Sequence, residues 1–220
     1  DVKRVVADFK VGLINPVSGK VASRDREDFT YGLQKLQIPE LRAAIPGATG
    51  KGIRVGIVDT GIDGTHPDLK GRVVAFKDFV NGQTVAYDDN KHGTHVAGTI
   101  GGRNLSGTNI GVAPEVSYIG AKFLDKNGSG TFANAVAAMQ WIADPDGNPA
   151  TDDAPSIVSN SWGGGNPSSS EDPADNAMCK AAEGWVKLGI LPVFAAGNSG
   201  PNPRTVGLPG EDLSVQPPRE

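Results

Sequence analysis

Cysteine occurs once in these 220 residues, at Cys179, so no disulfide can form within the chain. Its setting, AMCKAAEGW, has helical spacing, which suits a small buried thiol better than a nucleophile. A basic excess is missing too: 21 Lys and Arg stand against 25 Asp and Glu, a formal net charge of −4. With no basic stripe to neutralise a phosphate backbone, nucleic acid is excluded as a partner. No apolar run approaches ~18 residues, which excludes a helical membrane span. The opening DVKRVVADFK lacks an initiator methionine and the apolar core of a signal peptide, so the chain is expected to begin inside a longer precursor.

What is plentiful is glycine, 30 residues, and proline, 16, both placed between apolar runs as turns and functional loops. After a short apolar alternation at Val2, Val5, Val6, Phe9 and Val11, residues 1–30 read as a terminal strand and an exposed linker ending in VASRDREDF. From Gly50 the pattern changes. KGIRVGIVDTGID is a nearly continuous apolar run, as in a strand buried on both faces of a parallel sheet. EVSYIGAKFLD, SIVSNSW and ILPVFAAGNSG read as further strands, and NGSGT as a turn. Helices are expected from His92 through Ile100, over FANAVAAMQWIAD, and over 175–188 with Gly189 as a left-handed cap. Strands alternating with helices predict an α/β fold, a mostly parallel sheet flanked by helices in three layers. Ligands of such sheets bind beyond the carboxyl ends of the strands, which points to Asp59, residues 125–130, Ser161 to Gly165 and residues 197–199.

Only three histidines are present, and two of them, His92 and His95, fall in KHGTHVAGTI. A zinc-peptidase helix needs a glutamate after the first histidine and a four-residue spacing; here the spacing is three and the intervening residues are Gly93 and Thr94. His95, one turn into the helix, is expected to pack against the sheet. His92 begins the helix, where the dipole disfavours imidazolium and supports a neutral base. Asp59, ending a buried strand, is an expensive residue unless its carboxylate is hydrogen-bonded, and a histidine N–H would satisfy it and fix the tautomer. Asn198 in AAGNSG either caps a turn or offers an amide N–H to a developing oxyanion.

VDTGID, HGTHVAGT and AAGNSG, in this order and at these strand ends, resemble the subtilisin-like serine proteases over residues 31 to about 209. The resemblance implies amide hydrolysis through a Ser-His-Asp triad, with Asp59 orienting the imidazole, His92 as general base and acid, and Asn198 as oxyanion donor. It also implies an extended polypeptide substrate lying as an added strand between Asn127, Gly128, Ser129 and Gly130 on one side and Ser161, Trp162, Gly163 and Gly164 on the other. WIADPDGNP, APSIVSNSWGGG and PVFAAGN are similar to the bacillopeptidase F branch in particular. By the same resemblance residues 1–30 are the end of an inhibitory propeptide and a linker, cut between about Lys10 and Tyr31. Residues 31–209 are then the N-terminal part of the peptidase domain, and 210–220 an atypical tail. The intact enzyme is expected to be secreted, monomeric and in need of no cofactor for its chemistry. A structural calcium is compatible with Asp68 in THPDL, although GGRNLSGTNIG brings no obvious set of oxygen ligands.

The family's Gly-Thr-Ser-Met-Ala nucleophile motif does not occur, and Ser214 sits in a surface-tail sequence. The chain is therefore expected to be an incomplete, inactive part of the protease, with an exposed sheet edge that lowers its stability. Two rivals stand beside this: a nucleophile-less homologue that grips peptides without cutting them, and a metal-dependent hydrolase using His92, His95 and Asp59.

Overall fold

A computed structural model describes residue 8 and residues 10–14, 28–105, 107–163, 177–202 and 205–207. Its elements run β1 (Lys10–Leu13), α1 (Tyr31–Lys35), α2 (Ile38–Ala44), β2 (Arg54–Asp59), β3 (Val73–Asp78), α3 (His92–Gly101) and β4 (Ser117–Lys122). There follow β5 (Ser129–Thr131), α4 (Phe132–Trp141), β6 (Ile157–Asn160), β7 (Trp162–Gly163), α5 (Ala177–Lys187) and β8 (Leu191–Phe194).

Five of the strands form one parallel sheet in the order β3-β4-β2-β6-β8. β2 is central because its side chains can be buried on both faces. Val55 and Ile57 join Ala97 of α3 and Tyr118 of β4 on one side, while Val58 joins Ala138, Met139 and Ile142 of the α4 region and Trp185 of α5 on the other. Helices thus cover both faces, giving the three layers that the alternating pattern predicts. The chain leaves β2 for β3 and β4 on one side, then crosses over to β6 and β8 on the other, so the topological switch lies beside β2 and opens a crevice beyond its carboxyl end. Asp59 is the residue at that end.

Local signals explain the helix limits. Thr131 caps α4 by accepting the N–H of Asn134. α5 closes with Gly189 at φ +79°, where the Gly189 N–H donates to the Val186 carbonyl and the Ile190 N–H to that of Trp185. This is the paired-bond C-terminal motif for which glycine is favoured. β8 has β6 on one side, and its Leu191 and Val193 are about half exposed, at 46% and 47%.

The structure departs from the sequence reading in four places. SIVSNSW is not one strand, since Ile157–Asn160 is β6 of the parallel sheet and Trp162–Gly163 is β7, which pairs with β1. NGSGT is not wholly a turn, since Ser129–Thr131 is strand β5. α1, α2 and β3 carry no strong periodic signal and were not expected. His95 does not pack against the sheet: the buried positions of α3 are His92, Gly93, Ala97 and Gly101, and at the helical angle of 100° per residue position 95 faces outward. Gly164, Gly165, Ser214 and residues 210–220 lie outside the described residues, as do residues 1–7 and the SRDRED linker apart from Asp28.

Candidate active site

The crevice beyond β2 gathers its polar groups from three elements. Asp59 is 1% exposed at the end of β2, and His92 is the first residue of α3. The His92 Nδ1–H donates to Asp59 at 2.8 Å (Oδ1) and 3.0 Å (Oδ2), and the Thr60 N–H donates to the same carboxylate at 2.6 Å. With Nδ1 committed to the carboxylate, Nε2 is the atom turned toward an incoming group. It lies 3.3 Å from the carbonyl oxygen of Ile14.

That carbonyl belongs to the chain's own N-terminal strand. β1 lies antiparallel between β5 and β7, completing a second, three-stranded sheet in the order β5-β1-β7. Gly12 faces Ser129 on one side and Gly163 on the other, and Leu13 faces Trp162. The Leu13 N–H donates to the Gly128 carbonyl at 3.0 Å, and the Ile14 N–H to the Ser161 carbonyl at 3.4 Å. Val11, 2% exposed, joins the apolar cluster that includes Leu124, Ala135 and Trp162. An extended segment is thus held on both edges by backbone hydrogen bonds, with alternate side chains seated in the protein and its last described carbonyl at His92.

The β5 wall is shaped for this. Asp125 accepts the N–H groups of Asn127 and Ser129 through Oδ1 and so tightens the turn; these bonds hold its pKa below the ordinary carboxylate value. Gly128 has φ +76°, and a Cβ there would stand 2.5 Å from Cδ1 of Leu13 in the bound strand. Gly128→Ala is therefore expected to weaken binding of an extended peptide in the cleft by about tenfold through that collision, a factor worth ~1.4 kcal/mol. Peptide affinity measured against wild type checks this, with the melting temperature as control for the fold.

Asn198 lies four residues beyond β8, after Gly197 at φ +94°. Since β8 and β6 run parallel with β2, its turn is at the same end of the sheet as Asp59. It is exposed. Of the residues expected to form the substrate edges, Asn127 to Gly130 and Ser161 to Gly163 are at the cleft, and Gly164 is outside the described residues.

Several residues at the site were missed by the sequence reading. Lys122, 0% exposed, ends β4 beside Asp59, and its Nζ donates to the carbonyls of Thr60 and Leu124 and to Asp89. Asp88 lies between Thr60 and the start of α3. A lysine inside the apolar run EVSYIGAKFLD was the available signal, because a buried ammonium demands partners.

Residues 50–213 match the subtilase family. The chain belongs to that family. It is 44% identical over 170 residues to serine protease AprX of Bacillus subtilis, an alignment covering 76% of this chain and 38% of AprX. It is 37% identical over 187 residues to subtilisin DY of Bacillus licheniformis, covering 84% of this chain and 61% of that protein. Bacillopeptidase F of B. subtilis matches at 38% over 181 residues, 74% of this chain and 12% of the relative. AprX therefore stands nearer than bacillopeptidase F, and that branch is not singled out. A crystal structure of a cold-adapted subtilisin-like serine proteinase superposes with a TM-score of 0.57 at 34% identity, covering 70% of this chain and 49% of that one. The chain spans 38%, 61% and 12% of the lengths of AprX, subtilisin DY and bacillopeptidase F, less than two thirds of each.

Within this subtilase, a metal reading of the histidines meets a geometric obstacle. His92 is turned onto Asp59, whereas His95 is exposed and lines a groove with Asp63, His66 and Thr94. Asp68, 4% exposed, accepts the Leu105 N–H through Oδ1, so that oxygen ties down the loop at 102–105. Among the described residues, the carboxylates that converge are those of Asp144, Asp146 and Asp153, whose oxygens lie within 4.8 Å of one another. This acidic cluster could hold calcium. It was not foreseen, although PDGNPATDD carries two of its members.

Proposed function

We propose that these residues are the N-terminal part of a secreted serine endopeptidase that cuts extended polypeptides. In this reading Asp59 orients His92, His92 moves the proton, Asn198 donates to the oxyanion, and residues 31–209 belong to the peptidase domain. The attacking serine comes from a Gly-Thr-Ser segment outside these 220 residues, a view supported by the absence of that motif here and by the partial coverage of the relatives. The observation that carries the reading is β1 in the cleft, with the Ile14 carbonyl 3.3 Å from His92 Nε2. Residues 1–30 are then the end of a propeptide and a linker, and the first bond presented for cutting is Ile14–Asn15 rather than one in SRDRED.

The chemistry follows the acyl route. The serine hydroxyl loses its proton to His92 Nε2 as oxygen bonds to the carbonyl carbon, and the proton passes to the departing amine as the C–N bond breaks. Water then attacks the acyl ester by the same proton path.

N-terminal sequencing of the complete protease tests this. The expected mature terminus is Asn15, and His92→Ala is expected to leave the chain uncut. A peptide spanning residues 8–14 that binds the complete protein, together with no cleavage of any substrate, would favour the nucleophile-less binder instead.

A further inference from the structure

The turn before α3 holds a carboxylate with no role in the proton path just described. Asp88 Oδ1 accepts the Thr60 hydroxyl at 2.9 Å and the N–H groups of Asn90 and Lys91 at 3.1 and 2.9 Å. Its Oδ2 accepts the Thr94 N–H at 2.9 Å and the Thr94 hydroxyl at 2.7 Å. Both oxygens are used twice or more, and every partner belongs to the end of β2 or to the approach and first turn of α3.

The helix needs such an outside acceptor. Lys91, in the cap position, has φ +88° and makes no side-chain cap. The first-turn N–H groups are satisfied from elsewhere: His92 by Asn90 Oδ1 at 3.3 Å, Gly93 by the Thr60 hydroxyl oxygen at 2.9 Å, and Thr94 by Asp88. The Thr60 hydroxyl is a relay, accepting from Gly93 of α3 while donating to Asp88. Thr60 in turn is bonded through its N–H to Asp59. The separation between Asp59 and His92 is thereby set by a bridge that runs Asp59–Thr60–Asp88–α3.

We infer that Asp88 is a positioning residue, which fixes the His92 ring on Asp59 by stapling the end of β2 to the start of α3. The inference rests on the reading of His92 as the proton-moving group. Asparagine cannot replace Asp88, because its NH₂ would meet a backbone N–H in either orientation: those of Asn90 and Lys91 at one oxygen position, that of Thr94 at the other. The groups that reach the His92 ring or its supports are Asp59 from β2, Asp88 from the turn, and the Ile14 carbonyl from β1. From β4, Lys122 comes as far as the Thr60 carbonyl, where Asp89 pairs with it.

The test measures the His92 Nδ1 proton by NMR of the complete protease at a pH where the ring is protonated, in wild type, Asp88→Asn and Thr60→Val. It is paired with kcat and KM of the complete protease carrying the same changes. Both variants are expected to shift the low-field Nδ1 signal and speed its exchange. Both should lower kcat by on the order of tenfold to a hundredfold with KM within twofold. The double variant should lose less than the sum of the two singles, since both changes remove the Thr60–Asp88 bond. A lower melting temperature with an unmoved Nδ1 signal and unchanged kcat would overturn the inference, as would strict additivity. Should Asp88→Asn not fold, Thr60→Val alone decides by the same readouts. A complete wild-type protease without activity would count against the proposed function, while the NMR comparison would still judge Asp88.

Discussion

Asp59→Asn is expected to lower kcat of the complete protease about 10⁴-fold, the loss known for a Ser-His-Asp triad whose carboxylate becomes an amide. The reason lies in which nitrogen carries the proton. Asp59 accepts at 2.8 and 3.0 Å from His92 Nδ1, so in the neutral ring Nε2 carries no proton and can take one from a nucleophile. An amide NH₂ in the same place donates to Nδ1, so the proton moves to Nε2, and the ring can no longer accept one from a nucleophile.

The pH profile should move with it. Burial by itself would lower the His92 pKa, but the hydrogen bond to Asp59 and its charge, with the Ile14 carbonyl and Asp88, hold it above the ordinary value. The direction is opposite to that of the helix dipole alone, because a carboxylate in contact outweighs partial charges at a helix end. The base must be neutral to act, so the wild-type rate rises with pH through this raised pKa, and Asp59→Asn shifts that limb to lower pH. Stability has the opposite sign. A raised folded-state pKa contributes stability that is fully present below ~6.5 and is lost as pH rises through the folded value. Denaturation curves from pH 5 to 9 should show that decline in wild type and a flatter profile in the variant. Identical profiles would mean that Asp59 does not act on His92 through charge.

The pair Asp59 and His92 was legible because each breaks a local rule: a carboxylate ends a run of buried apolar residues, and a histidine opens a glycine-rich helix. The strands of the main sheet were legible for the same reason of strong apolar runs. β5 was not, because Ser129–Thr131 has no apolar pattern of its own and becomes a strand only by pairing with β1. β1 showed its alternation, yet nothing local says that Lys10–Leu13 lies in the cleft, a placement decided by contacts more than 100 residues away in sequence. His95 was misplaced since its neighbours Val96 and Gly98 suggested burial, whereas the orientation of α3 is set by His92, Gly93 and Ala97. Asp88 escaped because an aspartate in YDDNKHG looks like an ordinary turn former.

Lys122→Met is expected to destabilise the chain by about 2–6 kcal/mol, from two buried carbonyls left without a donor at ~1–3 kcal/mol each. For a chain of this length that corresponds to a fall in melting temperature on the order of 10 °C. Methionine fills much of the space of the lysine stem, so the loss comes from polar groups rather than from a cavity. The ammonium is 0% exposed and serves three acceptors: the carbonyls of Thr60 and Leu124, and Asp89 Oδ1 at 2.7 Å. These acceptors stand on the loop after β2, the end of β4 and the turn before α3. The two carbonyls would be left buried without this donor, while Asp89, about one third exposed, can turn toward water. A companion change at Asp89 separates the contributions: Asp89→Asn should cost under about 1 kcal/mol, because a partly exposed partner is screened and replaceable. Equal losses from the two substitutions would show that the ion pair, and not the two carbonyls, accounts for the lysine. The expected inequality would instead make Lys122 a clamp on the backbone around Asp59, retained inside the sheet because three segments of the crevice meet at its ammonium.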